Sequence, residues 1–129
     1  MEHNLNGGIN LTMLTDFYEI TMANGYFETG MADNIAYFDM FFRTVPDHGG
    51  FAIMAGLEQV ITYLSNLKFT EEDIAYLRSK NSFSEEFLRY LENFEFKCDV
   101  WAVPEGTPIF PGEPIVTVRG PVMQAQFVE

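Results

Sequence analysis

Few side chains in this sequence have the type and spacing to do chemistry. Thr15, Asp16 and Tyr18 fall within one helical turn at the head of "LTDFYEITMANGYFETG". A phenol in a first helical turn can stack a flat ring, and the free amides there favour a nearby anion. The same residues have plainer uses. Asp16 can cap the helix, with Glu19 three places on completing a capping box, and Tyr18 can pack with its hydroxyl bonded. Arg43 closes an aromatic stretch and suits either a carboxylate or phosphate or a solvent ion pair. His48, beside Gly49-Gly50, can bind phosphate or move a proton, but a surface-loop histidine is the simpler reading. His3 reads as a solvated arm residue. Cys98, the only cysteine, abuts an apolar strand and reads as a buried thiol rather than a nucleophile. Glu105 and Glu113 read as turn and edge charges. Metal-ligand spacing, a Walker A loop and a dinucleotide fingerprint are all missing, so the residues alone name no reaction.

The elements that must hold these groups are clearer. The chain has 129 residues, 47% of them hydrophobic and thirteen of them Phe, which fits one domain with a modest core and excludes intrinsic disorder. Seven basic residues against nineteen acidic ones give a net charge of -12, a field that repels nucleic-acid backbones. Some acids have local work: Glu71, Glu72, Glu85 and Glu86 stand where helices are expected to start. A lone cysteine forms no internal disulfide. There is no signal-peptide pattern and no apolar run of ~20 residues, so no membrane partner is expected. A reducing, cytoplasmic setting is expected.

Met1 to Asn10 reads as a flexible arm. Residues 11–97 read as mainly helical. The first helix follows Thr15 or Asp16 and ends near Gly30, with Phe17, Ile20 and Phe27 on one side and Tyr18, Met22 and Tyr26 on another. "NIAYFDMFFR" is then expected to be a strand covered on both faces, and "VPDHGG" a turn. Phe51 to Met54 suggests a short strand. Leu57, Val60, Ile61, Leu64 and Leu67 keep helical period, Thr70 with Asp73 forms a capping box, and Ser84 caps a further helix. Residues 98–120 read as short antiparallel strands and turns, with Val100, Ala102 and Ile109 packed inward and four prolines marking edges and strand ends. Pro121 is expected to open a helix, unfinished at 129. The fold class is α+β.

Four stretches, in order, resemble nicotinate phosphoribosyltransferases: "LTDFYEITMANGYF", "FDMFFRTVPDHGGFAIMAGLEQVITYL", "FTEEDIAYLRS" and "VWAVPEGTPIFPGEPIVTVRGPVMQAQFVE". The resemblance runs from about Leu14 to Glu129 and concerns only the first part of that enzyme. It implies the N-terminal α/β-sandwich-type domain of a type II phosphoribosyltransferase, truncated before an irregular α/β barrel. It implies an enzyme joining nicotinate to 5-phosphoribosyl-1-pyrophosphate, with ATP hydrolysis coupled through a phosphohistidine and assisted by Mg²⁺, giving nicotinate mononucleotide for NAD salvage. It implies a homodimer in which Tyr18 stacks on nicotinate across the interface, Asp16 and Thr15 support that turn, and Met22 or Tyr26 faces the partner. No ATP or Mg²⁺ is expected on this stretch, which by itself is expected to be inactive, and neither His3 nor His48 matches the phosphohistidine. Two alternatives stand beside it: a fragment of nicotinamide phosphoribosyltransferase, and a non-catalytic dimerisation module.

Overall fold

The computed structural model of the chain describes residues 9–128; His3 and most of the expected arm lie outside them. Asn10, at the end of that stretch, is anchored. Its Nδ2 donates to the Lys68 carbonyl at 2.8 Å and its Oδ1 accepts from the Thr12 amide at 2.9 Å.

The helices begin where local chemistry can satisfy their free amides. Helix α1 spans Phe17–Glu28, α2 Leu57–Ser65, α3 Glu71–Ser79, α4 Glu85–Glu92 and α5 Val122–Gln126. At α3 the capping box forms as expected, with the Asp73 amide donating to Thr70 Oγ1 and the Thr70 amide to Asp73 Oδ2. Ser84 caps α4 by accepting from the Phe87 amide. Pro121 immediately precedes α5, as its missing amide allows.

Among the described residues, five strands form two antiparallel sheets. They are β1 (Ile35–Met40), β2 (Ala52–Ile53), β3 (Asp99–Ala102), β4 (Pro108–Ile109) and β5 (Val116–Pro121). The larger sheet has the order β1-β5-β3, so the last strand in sequence is central, and β2 pairs with β4. A short 3₁₀ turn, Pro46–His48, follows β1.

Two cores result. Ile20 and Ala23 of α1 meet Ile74, Leu77, Phe87, Leu88 and Leu91 of α3 and α4, with Met123 and Phe127 closing the cluster. Phe69, Phe94 and Phe127 form a mutual edge-to-face triad with centroids 5.5 to 5.7 Å apart. The second core is smaller: Met54, Ile109, Val116, Val118 and Ala125 under the sheet.

The sheet departs from expectation on one side. Alternate residues of β1 face solvent, with Tyr37 65% exposed, because the helices of the described residues cover only the opposite face. Trp101 of β3 is 54% exposed, and Val100, expected inward, is exposed as well, since β3 is an edge strand. Register places Arg119 of β5 between Tyr37 and Asp99. Its guanidinium donates to the Tyr37 hydroxyl and to Asp99, each at 3.0 Å. Thr117 Oγ1 donates to Asp39 in the neighbouring pair. Helix α2 also turns differently from its pattern: Ile61 faces solvent while Tyr63 is half-buried. No helix among the described residues is long and apolar enough to cross a membrane.

Candidate functional site

Thr15, Asp16 and Tyr18 gather at the start of α1, the first two just before the helix and Tyr18 in its first turn. Asp16 is the residue before the helix, in extended conformation, and its carbonyl accepts from the Glu19 amide at 3.1 Å. Its carboxylate makes no capping hydrogen bond, and the expected capping box does not form. The reason is Glu19. Its side chain is buried and accepts a hydrogen bond from Gln126 Nε2 on α5, so it cannot reach back to the helix start. A carboxylate without that local duty leaves Asp16 exposed to solvent.

Tyr18 is 48% exposed and shares the wall of a cavity of about 410 Å³ with Thr15, Asp16, Glu19, Tyr63 and Val128. The two-sidedness of α1 thus resolves into an inward stripe of Ile20 and Ala23 and an outward one of Tyr18 and Met22. Phe17 is also largely exposed, resting edge-on against Phe83 at 5.8 Å. Tyr26 does not join the outward stripe. It is half-buried against the helical core, four residues beyond Met22, because the helix turns it towards that core.

Arg43 lies beyond the end of β1 and lines a second cavity of about 600 Å³, together with Phe38, Asp39, Met40, Tyr63 and Val128. Its expected ion pair is absent among the described residues. His48 is exposed in the turn after β1, where it and Asp47 both have left-handed backbones, φ 57° and 56°. Gly49 follows, and a Cβ there would stand 2.8 Å from Val45 Cγ1, so a side chain at this position would have to displace Val45. The structure does not bring His48 into either cavity wall.

Cys98 is half-buried, and burial, reinforced by neighbouring Asp99, pushes its thiol up to about 11. It stays protonated at neutral pH and is a poor nucleophile, as its setting suggested. Glu105 has a larger role than its place in a turn indicated. Its two oxygens accept the amides of Gly56 and Leu57 at 2.9 and 3.0 Å, capping α2 from another part of the chain. Glu113 stays an exposed turn residue. Sequence reasoning also passed over Tyr63, which lines both cavities; only its place in an otherwise apolar helical stripe signalled it.

An α+β unit that holds an aromatic-bearing helix start beside two open cavities matches one family in both sequence and fold. Residues 13–129 match the model of the nicotinate phosphoribosyltransferase (NAPRTase) N-terminal domain, and the chain belongs to that family. Nicotinate phosphoribosyltransferase pncB2 of Mycobacterium tuberculosis is 45% identical over 117 residues, covering 91% of this chain and 25% of the relative. The Bacillus subtilis nicotinate phosphoribosyltransferase is 39% identical over 120 residues, covering 93% of this chain and 24% of its own length. The crystal structure of human nicotinic acid phosphoribosyltransferase superposes with a TM-score of 0.80 at 35% identity, over 88% of this chain and 23% of that one. The chain therefore spans about a quarter of the length of these relatives and corresponds to their N-terminal portion.

Proposed function

We propose that this chain serves as the N-terminal domain of an enzyme that joins nicotinate to the ribose of 5-phosphoribosyl-1-pyrophosphate, forming nicotinate mononucleotide and pyrophosphate for NAD salvage. The observation that supports it is the agreement with nicotinate phosphoribosyltransferases in sequence and fold along nearly the whole chain. In this reading the enzyme is a cytoplasmic homodimer. Tyr18, open to solvent at the cavity mouth, lays its ring on the pyridine ring of nicotinate bound across the dimer interface. Such a contact recognises and orients the ring; it breaks no bond. Asp16 and Thr15 hold the turn that presents it, and the exposed Met22 meets the partner subunit.

Coupled ATP hydrolysis with Mg²⁺ belongs to the same proposal as the source of driving force. Among the described residues no group of three His, Cys, Asp or Glu side chains is placed to hold a metal ion. In the proposal those ligands, like the phosphorylated histidine, come from outside this chain, and the 129 residues alone are inactive.

The test is an assay of the intact natural gene product with nicotinate and 5-phosphoribosyl-1-pyrophosphate, beside the Tyr18→Ala variant. Nicotinate mononucleotide should form, and Tyr18→Ala should raise the nicotinate KM about tenfold or more, the scale of a lost aromatic contact with its buried area. Absence of product from the wild type ends the proposal. Unchanged nicotinate kinetics in Tyr18→Ala end the stacking role alone.

A further inference from the structure

Cations are scarce in this chain, and among the described residues five of the seven have a side-chain partner, Arg43 and Lys68 being the other two. Arg78, Arg89, Lys97 and Arg119 form ion pairs, and Lys80 sits over the Tyr76 ring at 4.2 Å. Lys68 lines an open groove beside Lys97. Arg43 has neither an ion pair nor a side-chain hydrogen bond among the described residues; it is exposed and lines the open cavity of about 600 Å³.

The same wall holds a second polar side chain. The Tyr63 hydroxyl has no hydrogen-bond partner among the described residues, and it belongs to both cavities. Burial raises its pKa, so at neutral pH the hydroxyl keeps its proton and remains a donor. The acids nearby have neutral partners: Asp39 accepts from Thr117 Oγ1, and Glu19 from Gln126. The rest of the larger cavity is Asp39 and apolar side chains, among them Phe38, Met40, Val116 and Val118. A guanidinium fork and a neutral phenol in one concavity, with its single carboxylate already bonded to Thr117, are complementary to an oxyanion.

We propose that Arg43 and the Tyr63 hydroxyl together bind an oxyanion, a carboxylate or a phosphate, in the cavity between β1, β5 and α2. Arg43 supplies charge and a bidentate fork, and Tyr63 adds one directional hydrogen bond. The shared wall at Tyr63 sets this site next to the cavity of Tyr18, so a ring at Tyr18 and an anionic group at Arg43 are neighbours. The identity of the anion rests on the phosphoribosyltransferase reading. The carboxylate of nicotinate and the phosphates of 5-phosphoribosyl-1-pyrophosphate are its two sources.

Arg43→Gln and Tyr63→Phe in the intact natural gene product test this. Arg43→Gln should raise the KM of one anionic substrate about 10- to 100-fold, and Tyr63→Phe about 3- to 10-fold, with kcat within about twofold. Both variants should melt within about 2 °C of the wild type, because neither removes an interaction internal to the fold. A rise for nicotinate identifies the carboxylate, and one for the sugar pyrophosphate identifies the phosphate. If Tyr18→Ala weakens nicotinate binding while neither variant moves either KM, the site is overturned and the functional reading survives. If the wild type makes no product, the functional reading fails, and inorganic pyrophosphate is titrated into the intact natural gene product with amide NMR as readout. Saturable shifts around Arg43 that vanish in Arg43→Gln then sustain the oxyanion site; no shift overturns it.

Discussion

The helical half of this molecule closes on itself, and the sheet half does not. Around α3 and α4, Phe87, Leu77, Leu88 and Leu91 are fully buried, and Phe rings from distant segments meet edge to face. Under the sheet, the buried cluster is smaller and the far face presents Tyr37, Trp101 and Ile35 to water. The helical half stores stability, and the sheet half supplies surface. Both cavities lie along the margin between these regimes, where the last residues of α1's approach, α2 and α5 leave gaps.

If that contrast is right, truncation in the helical core should cost most. Phe87→Ala should lose about 3 to 5 kcal/mol, enough to leave much of a marginal domain unfolded, as read by urea denaturation. A loss under about 1 kcal/mol would mean the helical half is not the stabilising one. Next comes Gly120→Ala in β5. A Cβ there would stand 2.4 Å from Cys98 Sγ and 3.0 Å from Cys98 Cα, so backbone must shift, at about 1 to 3 kcal/mol. An unchanged melting temperature would show that the sheet is loose enough to yield at its central strand. Glu105→Ala removes the two-oxygen cap of α2, which joins the halves, and should cost about 1 to 2 kcal/mol. Faster amide exchange at Gly56 and Leu57 would accompany it, and unaltered exchange there would deny the cap its role. Smallest is Trp101→Ser on the open face, within about 0.5 kcal/mol of wild type by the same denaturation. A large loss would mean that this face is covered after all.

The same contrast marks what could be read from the sequence. Thr70 with Asp73, and Ser84, act within three residues, so the starts of α3 and α4 were legible from spacing alone. Glu19 fitted a capping box equally well by spacing, but its carboxylate went to Gln126, on a helix far along the chain. Glu105 reads in sequence as a turn charge because its partners lie near residue 56, and no local pattern encodes that. Tyr18 could be picked out as a ring-stacking candidate, since a first-turn phenol is visible in one dimension. The cavity beside it was not, because Tyr63 and Val128 reach it only through the fold. The strand at β1 was recognisable from its aromatics, but the absence of a covering layer on one face depends on where every other element goes.

The central position of β5 bears on how the chain is made. Its partner β1 is joined through pairs as distant as Ile35 with Pro121, so a ribosome must deliver nearly all of this chain before the larger sheet can close. Helices α3 and α4, adjacent in sequence, can dock much earlier. During synthesis β1 therefore waits, with its aromatic side chains and both edges bare, for a strand some eighty residues behind it. A nascent chain stalled ahead of residue 116 would hold a helical subassembly and an unpaired, sticky strand, the state in which a chaperone would find it.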